Sequence, residues 1–271
     1  MPELPEVETT CKGISKHLLK KTIAKVIIRQ PKLRWPIPAQ LKKCLPQEKI
    51  LGVERRAKYI LISTSAGTLI LHLGMSGSLR IVKAKTPFDK HEHFDLILKN
   101  GDCLRLHDPR RFGAVLWTTK PPLEHKLLCS LGPEPLTDDF TAEYIYTKSR
   151  TRKVTVKQFI MDAHNVVGVG NIYVSEALFL AGIHPRKAAG SISLTRYKKL
   201  VVAIKQVLTA AIKQGGTTLK DFTQSNGKPG YFQQQLNVYG RKGENCSVCK
   251  KPISHCVLGQ RATYYCIQCQ K

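Results

Sequence analysis

The opening residues of this 271-residue chain, MPELPEVETT, hold its most reactive candidate group. Initiator methionine is removable when the next residue is small, and loss of Met1 exposes the secondary amine of Pro2. An α-amino group titrates near pH 8, and a helix starting just behind it adds partial positive charge that lowers this further. A neutral secondary amine adds to an aldehyde-like carbon, and the adduct can only be a cationic iminium, which is an electron sink. Glu3, next in line, is placed to shuttle protons. Taken locally, many chains begin Met-Pro-Glu with no catalytic purpose, so the pair stands as a candidate only.

The C-terminal stretch CSVCKKPISHCVLGQRATYYCIQC speaks more clearly. Cys246-x-x-Cys249 and Cys266-x-x-Cys269 are separated by sixteen residues. Paired knuckles of this kind converge four thiolates tetrahedrally on zinc. Four protein ligands leave no position for water, so one structural ion is expected, holding a ribbon too small to fold on its own core. A zinc-dependent nuclease is excluded by the same count. Cys256 and His255 lack a knuckle partner. Gln260-Arg261 falls at the ribbon tip.

Two further stretches suit anions. VVGVGN, 166–171, is a glycine-rich turn between helical patterns. Its amides and Asn171 favour a phosphate, supported by Arg150, Arg152, Lys153 and Lys157 upstream. HDPRRFG, 107–113, joins cations to an aromatic that is either a wedge between bases or a core residue at a surface turn. Met75 in HLGMSGS reads equally well as a buried methionine. Nothing local marks Lys58, at the entry to a strand.

The elements that must carry these groups follow from periodicity. Val7, Cys11, Ile14 and Leu18 recur at helical spacing from Pro5 to Lys20. Short alternating β-rich runs follow, and Asn100-Gly101 predicts a type I′ hairpin. Residues 1–130 therefore read as an antiparallel β-sandwich with a flanking helix. The Pro-rich, acidic segment 131–139 reads as a linker. After it the period is helical, and Leu194, Tyr197, Val201, Ile204, Leu208 and Ala211 form one stripe that Gly215-Gly216 ends. Residues 215–243 are long for a compact domain without periodicity, which points to a functional loop.

Composition bounds the class. The chain has 42% hydrophobic residues and a formal net charge of +25 from 44 basic and 19 acidic residues. Both halves share the basic excess, so a polyanion, most simply a nucleic acid, is the expected partner. No apolar run is long enough for a membrane span, and the N-terminus lacks a secretory h-region, so the expected compartment is cytoplasmic.

In order along the chain, MPELPEVET, RRAKY, HLGMSGSLR, DPRRFGA, LGPEPL, VVGVGNIY, GGTTLKDF, GKPGYF, YGRKGE and QRATYYCIQCQK resemble the bacterial formamidopyrimidine-DNA glycosylases, over essentially the whole length. The resemblance implies a multidomain α+β fold: a catalytic β-sandwich domain at 1–130, the linker, a helix-two-turn-helix DNA-binding module at 140–236 and a zinc finger at 237–271. It implies a monomer acting on double-stranded DNA. The implied activity is removal of oxidised purines, 8-oxoguanine and formamidopyrimidines, through a Schiff base on Pro2, followed by β,δ-elimination. Glu3 would be the proton donor and shuttle, Lys58 the proton donor in β-elimination, and Arg261 the phosphate contact assigned to δ-elimination. Met75, Arg110 and Phe112 would fill and wedge the duplex. His91, Arg152, Lys157 and Asn171 would contact DNA, and a segment near Gly215–Tyr231 would cover the extruded base. Arg152 stands where other members can carry Lys, which alters its hydrogen-bond geometry. The rival is a non-catalytic zinc-containing protein that binds bent or abasic DNA, which would have no need of Pro2 and Glu3.

Overall fold

A computed structural model describes residues 2–216 and 236–271. They fall into two compact units, 2–129 with 214–216, and 130–213 with 236–271.

The first unit opens with helix α1, Leu4–Leu18. Glu3 caps it in a reciprocal box: its side chain accepts from the Glu6 backbone, while its own N–H donates to Glu6 Oε2 at 2.9 Å. Pro5 lies in the first turn, where a missing N–H costs nothing. The stripe read from the sequence, Val7, Cys11, Ile14 and Leu18, is buried. Lys20, with φ +64°, ends the turn beyond it.

Strands β1 (Ile23–Ile28), β2 (Gly52–Arg56), β3 (Tyr59–Thr64), β4 (Gly67–His72), β5 (Ser78–Lys83), β6 (Glu92–Leu98), β7 (Asp102–His107) and β8 (Ala114–Thr118) follow, with a single helical turn α2 (Leu41–Cys44) after β1. They make two four-stranded antiparallel sheets, ordered β1-β6-β7-β5 and β2-β3-β4-β8. Val26, Phe94, Leu96, Leu104 and Leu106 from one sheet and Ile60, Ile62, Leu69, Leu71 and Val115 from the other share one core with the α1 stripe. This is the expected sandwich with its flanking helix.

The β6–β7 hairpin forms where expected, but its turn is not type I′. That turn needs positive φ at both central residues; here Gly101 has φ +84° and Asn100 does not. The loop is three residues, closed by the Gly101 N–H on the Leu98 carbonyl at 3.1 Å. The Asn100 side chain is spent on this loop: its Oδ1 accepts from the Asp102 N–H at 3.1 Å and its Nδ2 donates to Asp102 Oδ2 at 2.9 Å. That local bonding holds the wider loop.

The second unit is helical, with α3 (Ala142–Ser149), α4 (Val156–Met161), α5 (Asn171–Leu180) and α6 (Leu194–Lys213). Thr141 and Thr155 cap α3 and α4 through their side chains. On α6, Tyr197, Val201, Ile204, Leu208 and Ala211 are buried, as the stripe predicts, while Leu194 at its start is half-buried. Gly215 and Gly216 follow it, both at positive φ. The segment read as a linker is hydrogen-bonded at its start: Gly132 N–H donates to Ala163 O at 2.8 Å and Pro133 O accepts from Val167 N–H at 3.1 Å. The two-stranded ribbon β9 (Ser254–Leu258) and β10 (Arg261–Tyr265) completes the unit. Its Gly259-Gln260 turn has φ +53° and +61°, the double left-handed signature of a type I′ turn. No helix among the described residues is long and apolar enough to cross a membrane.

Candidate active site and metal centre

Pro2 is buried at the N-terminal end of α1, and Glu3 and Glu6 beside it are each only 3% exposed. Two carboxylates therefore share a water-poor corner with Pro2. Thr10 Oγ1 donates to the Glu6 carbonyl at 2.9 Å, tightening the first turns. Gly216 lies against the same corner, where an added Cβ would come within 3.0 Å of Glu6 Oε1.

Lys58 sits in the two-residue turn between β2 and β3, after Ala57 at φ +54°. Val53–Arg55 run beside Glu8, Cys11 and Lys12 of α1. Arg55 Nε donates to Glu8 Oε2 at 2.6 Å, so the chain leads the Lys58 turn toward the N-terminal end of the helix. His72, opposite Tyr59 in the β3–β4 pairing, is pushed down to about 4 by burial and by the charges of Lys58 and Arg34. Pro2 and Glu3 thus stand at the start of α1, and Lys58 stands in a turn whose preceding strand is tied to that helix through Arg55 and Glu8.

The wedge candidates lie at turns of the same unit. Phe112 is 44% exposed, with the Arg110 guanidinium 5.0 Å from its ring centroid, and Met75 is half-buried. So Phe112 is not the core residue of a surface turn. His91 is half-buried, and its ring meets His107 edge-on at 5.8 Å. Behind His91 lies a buried ionic network absent from the sequence reading. Arg105, 1% exposed, forks onto Asp95 at 2.9 and 3.0 Å, and its Nη1 reaches Glu92 and the carbonyls of Thr86 and Pro87. Burial pushes the Asp95 carboxyl up, but Arg29 and Arg105 outweigh it and hold it below its ordinary value.

In the second unit the four expected cations of 150–157 divide. Arg152 and Lys153 are exposed. Arg150 is spent on the carbonyls of Tyr146, Gly190 and Ile192. Lys157 is 1% exposed and turned inward, its Nζ donating to Ala262 O at 3.0 Å and Thr263 Oγ1 at 2.7 Å. Asn171, the first residue of α5, donates to the same Ala262 carbonyl at 3.0 Å, while its buried Oδ1 has no partner among the described residues. Lys157 and Asn171 therefore fix the backbone next to Arg261, whose side chain is exposed.

The sulfur atoms of Cys246, Cys249, Cys266 and Cys269 lie within 4.8 Å of one another. The contacts Cys246–Cys269 and Cys249–Cys266 are 3.9 and 3.3 Å. Four thiolates about 2.3 Å from one ion stand about 3.8 Å apart, so the spacing fits a tetrahedral metal site. Cys256 is outside this group.

Sequence reasoning missed Glu176. It is a buried carboxylate in an otherwise apolar helix, and it accepts from the backbone N–H groups of Asn237, Val238 and Tyr239 at 2.7–2.9 Å. A lone acid in so apolar a stretch was the available signal. The loop expected to cover an extruded base lies, beyond Gly216, outside the described residues.

Residues 1–115 match the family described as Formamidopyrimidine-DNA glycosylase N-terminal domain, and residues 131–223 match Formamidopyrimidine-DNA glycosylase H2TH domain. A formamidopyrimidine-DNA glycosylase of Alteromonas mediterranea is 59% identical over 271 residues, covering 100% of both chains. Among solved structures, the Lactococcus lactis Fpg (MutM) protein in complex with N7-benzyl-Fapy-dG containing DNA superposes with a TM-score of 0.91 at 33% identity, covering 100% of both chains. A MutM protein in complex with carbocyclic 8-oxo-G containing DNA gives 0.90 at 34% identity, again covering 100% of both chains.

Proposed function

The chain belongs to the formamidopyrimidine-DNA glycosylase family, and from that premise we propose how its own residues carry out the reaction. It is a DNA glycosylase of base excision repair that acts on oxidised purines in duplex DNA, with AP lyase activity. It works as a monomer in the cytoplasm.

Loss of Met1 frees the Pro2 nitrogen, whose lone pair attacks C1′ of the damaged nucleotide. The C1′–N bond breaks and the base departs with the bonding electrons, while Glu3 takes up and returns protons. The proline nitrogen then expels O4′ from C1′, O4′ leaving with the C1′–O4′ electron pair and taking a proton from Glu3, and the resulting iminium withdraws electrons from C2′. Removal of a C2′ proton then expels the 3′ phosphate, and a second elimination expels the 5′ phosphate. Lys58 donates a proton in the first elimination and Arg261 meets phosphate for the second. Met75, Arg110 and Phe112 enter the space left by the flipped nucleotide, whose extrusion costs a few kcal/mol. His91, Arg152 and Asn171 meet the strand, and Lys157 acts from behind by holding the ribbon that presents Arg261. The four cysteines hold one zinc ion, which serves to fold the ribbon.

The observation that carries this reading is the buried corner at the start of α1, where a reciprocal Glu3–Glu6 cap sets two carboxylates beside Pro2. Borohydride reduction in the presence of 8-oxoguanine duplex tests it. A covalent protein–DNA product is expected, and its absence with intact binding would favour a non-catalytic binder.

A further inference from the structure

We propose that Asp108 is a positioning residue for base extrusion: its carboxylate clasps the loop presenting Phe112, and that loop is locked to the Gly74–Met75 turn, so both enter the duplex as one wedge. This rests on the reading of Met75, Arg110 and Phe112 given above.

Asp108 is fully buried at the base of the loop. Its Oδ2 accepts from the Gly113 N–H at 2.7 Å, and its carbonyl accepts from Arg111 N–H at 3.1 Å and faces His93 Nε2 at 3.0 Å. The chain between is thereby closed across its neck, with Arg111 at φ +55° turning Phe112 outward. A carboxylate on a buried amide is a charge-assisted bond, stronger than a neutral one.

The neck leaves no room for slippage. A Cβ on Gly113 would lie 2.8 Å from both Asp108 Oδ2 and the His72 carbonyl, and one on Gly74 would lie 2.4 Å from the Phe112 carbonyl carbon. The two turns therefore meet backbone to backbone. His72 completes the lock by accepting the Gly74 N–H on Nδ1 at 2.9 Å. The second Asp108 oxygen is buried with no partner among the described residues. An unpaired buried acceptor costs free energy, and burial pushes this carboxyl above its ordinary value although the Gly113 amide pulls the other way. That oxygen gives the loop a spare acceptor when Phe112 is driven against stacked bases.

The test compares single-turnover rates on an 8-oxoguanine duplex, which must be unstacked, with those on a preformed abasic duplex, which has no base to extrude. Asp108→Ala is expected to slow excision about 10–100-fold while abasic cleavage changes less than about threefold. Asp108→Asn keeps an acceptor for Gly113 but loses the charge, so an intermediate loss of about 3–10-fold confined to excision is expected. If Asp108→Ala fails to fold, the Asn variant decides by the same split. Equal losses on both duplexes, or wild-type excision in a folded variant, would overturn the proposal. Inactivity of the wild-type protein on both duplexes would instead overturn the glycosylase reading.

Discussion

His72 should make the first unit acid-sensitive. Its Nδ1 accepts the Gly74 N–H at 2.9 Å, so the native ring carries its proton on Nε2 and is neutral. Burial, with Lys58 and Arg34, depresses it from 6.5 to about 4. The sign follows: above pH 6.5 neither state is protonated and the full stability is present, whereas between 6.5 and 4 the unfolded chain takes up a proton that the native ring refuses. Stability is therefore lost as pH falls through this window. Linkage gives about 2–3 kcal/mol lost between pH 7 and pH 4.5. Both tryptophans, Trp35 and Trp117, belong to this unit. Urea unfolding followed by tryptophan emission at the two pH values, for wild type and His72→Gln, isolates the effect. The variant should lose about 2–3 kcal/mol less than wild type over the interval. Parallel losses in the two proteins would refute the reasoning, since Asp95 and Glu8, also stabilising above the ordinary carboxylate range, titrate in both.

Other perturbations read other parts of the molecule. Arg105→Met leaves Asp95 and Glu92 with Arg29 and Arg80 as their cationic partners among the described residues; a loss of about 3–5 kcal/mol is expected in calorimetry or urea titration, and an unchanged midpoint would show that the network contributes nothing. Zinc chelation should abolish DNA binding by releasing the ribbon that carries Arg261. Unchanged affinity after metal loss, verified by atomic absorption, would contradict that. Lys58→Ala should slow strand cleavage by about 10²–10⁴-fold, the usual range for a proton-transfer group, with urea unfolding unchanged; wild-type kinetics would remove Lys58 from the site.

Where one principle acted alone, the sequence was legible. The α1 and α6 stripes, the sandwich strands and the paired knuckles each follow from a single period or spacing. Turn chemistry was less readable, because local and tertiary bonds compete. Asn100 bonds to Asp102 in place of forming a type I′ turn, while Gly259-Gln260, without an Asn-Gly signature, forms one. At the candidate site, spacing marked the four cysteines, whereas Pro2 and Glu3 stood out only through the family resemblance. Residues that act through burial left only faint marks. Glu176, Asp108, His72 and Arg105 look ordinary in sequence, since their partners lie far along the chain or in backbone amides that no letter encodes. Lys157 shows the converse, a cation that reads as solvent-facing yet turns inward onto Ala262.

Tandem mass spectrometry of the borohydride-reduced adduct tests the role of Pro2 most directly. The account predicts a peptide that begins at Pro2, lacks Met1 and carries the reduced sugar remnant on the proline nitrogen. A remnant on a lysine, or active protein that retains Met1, would contradict it.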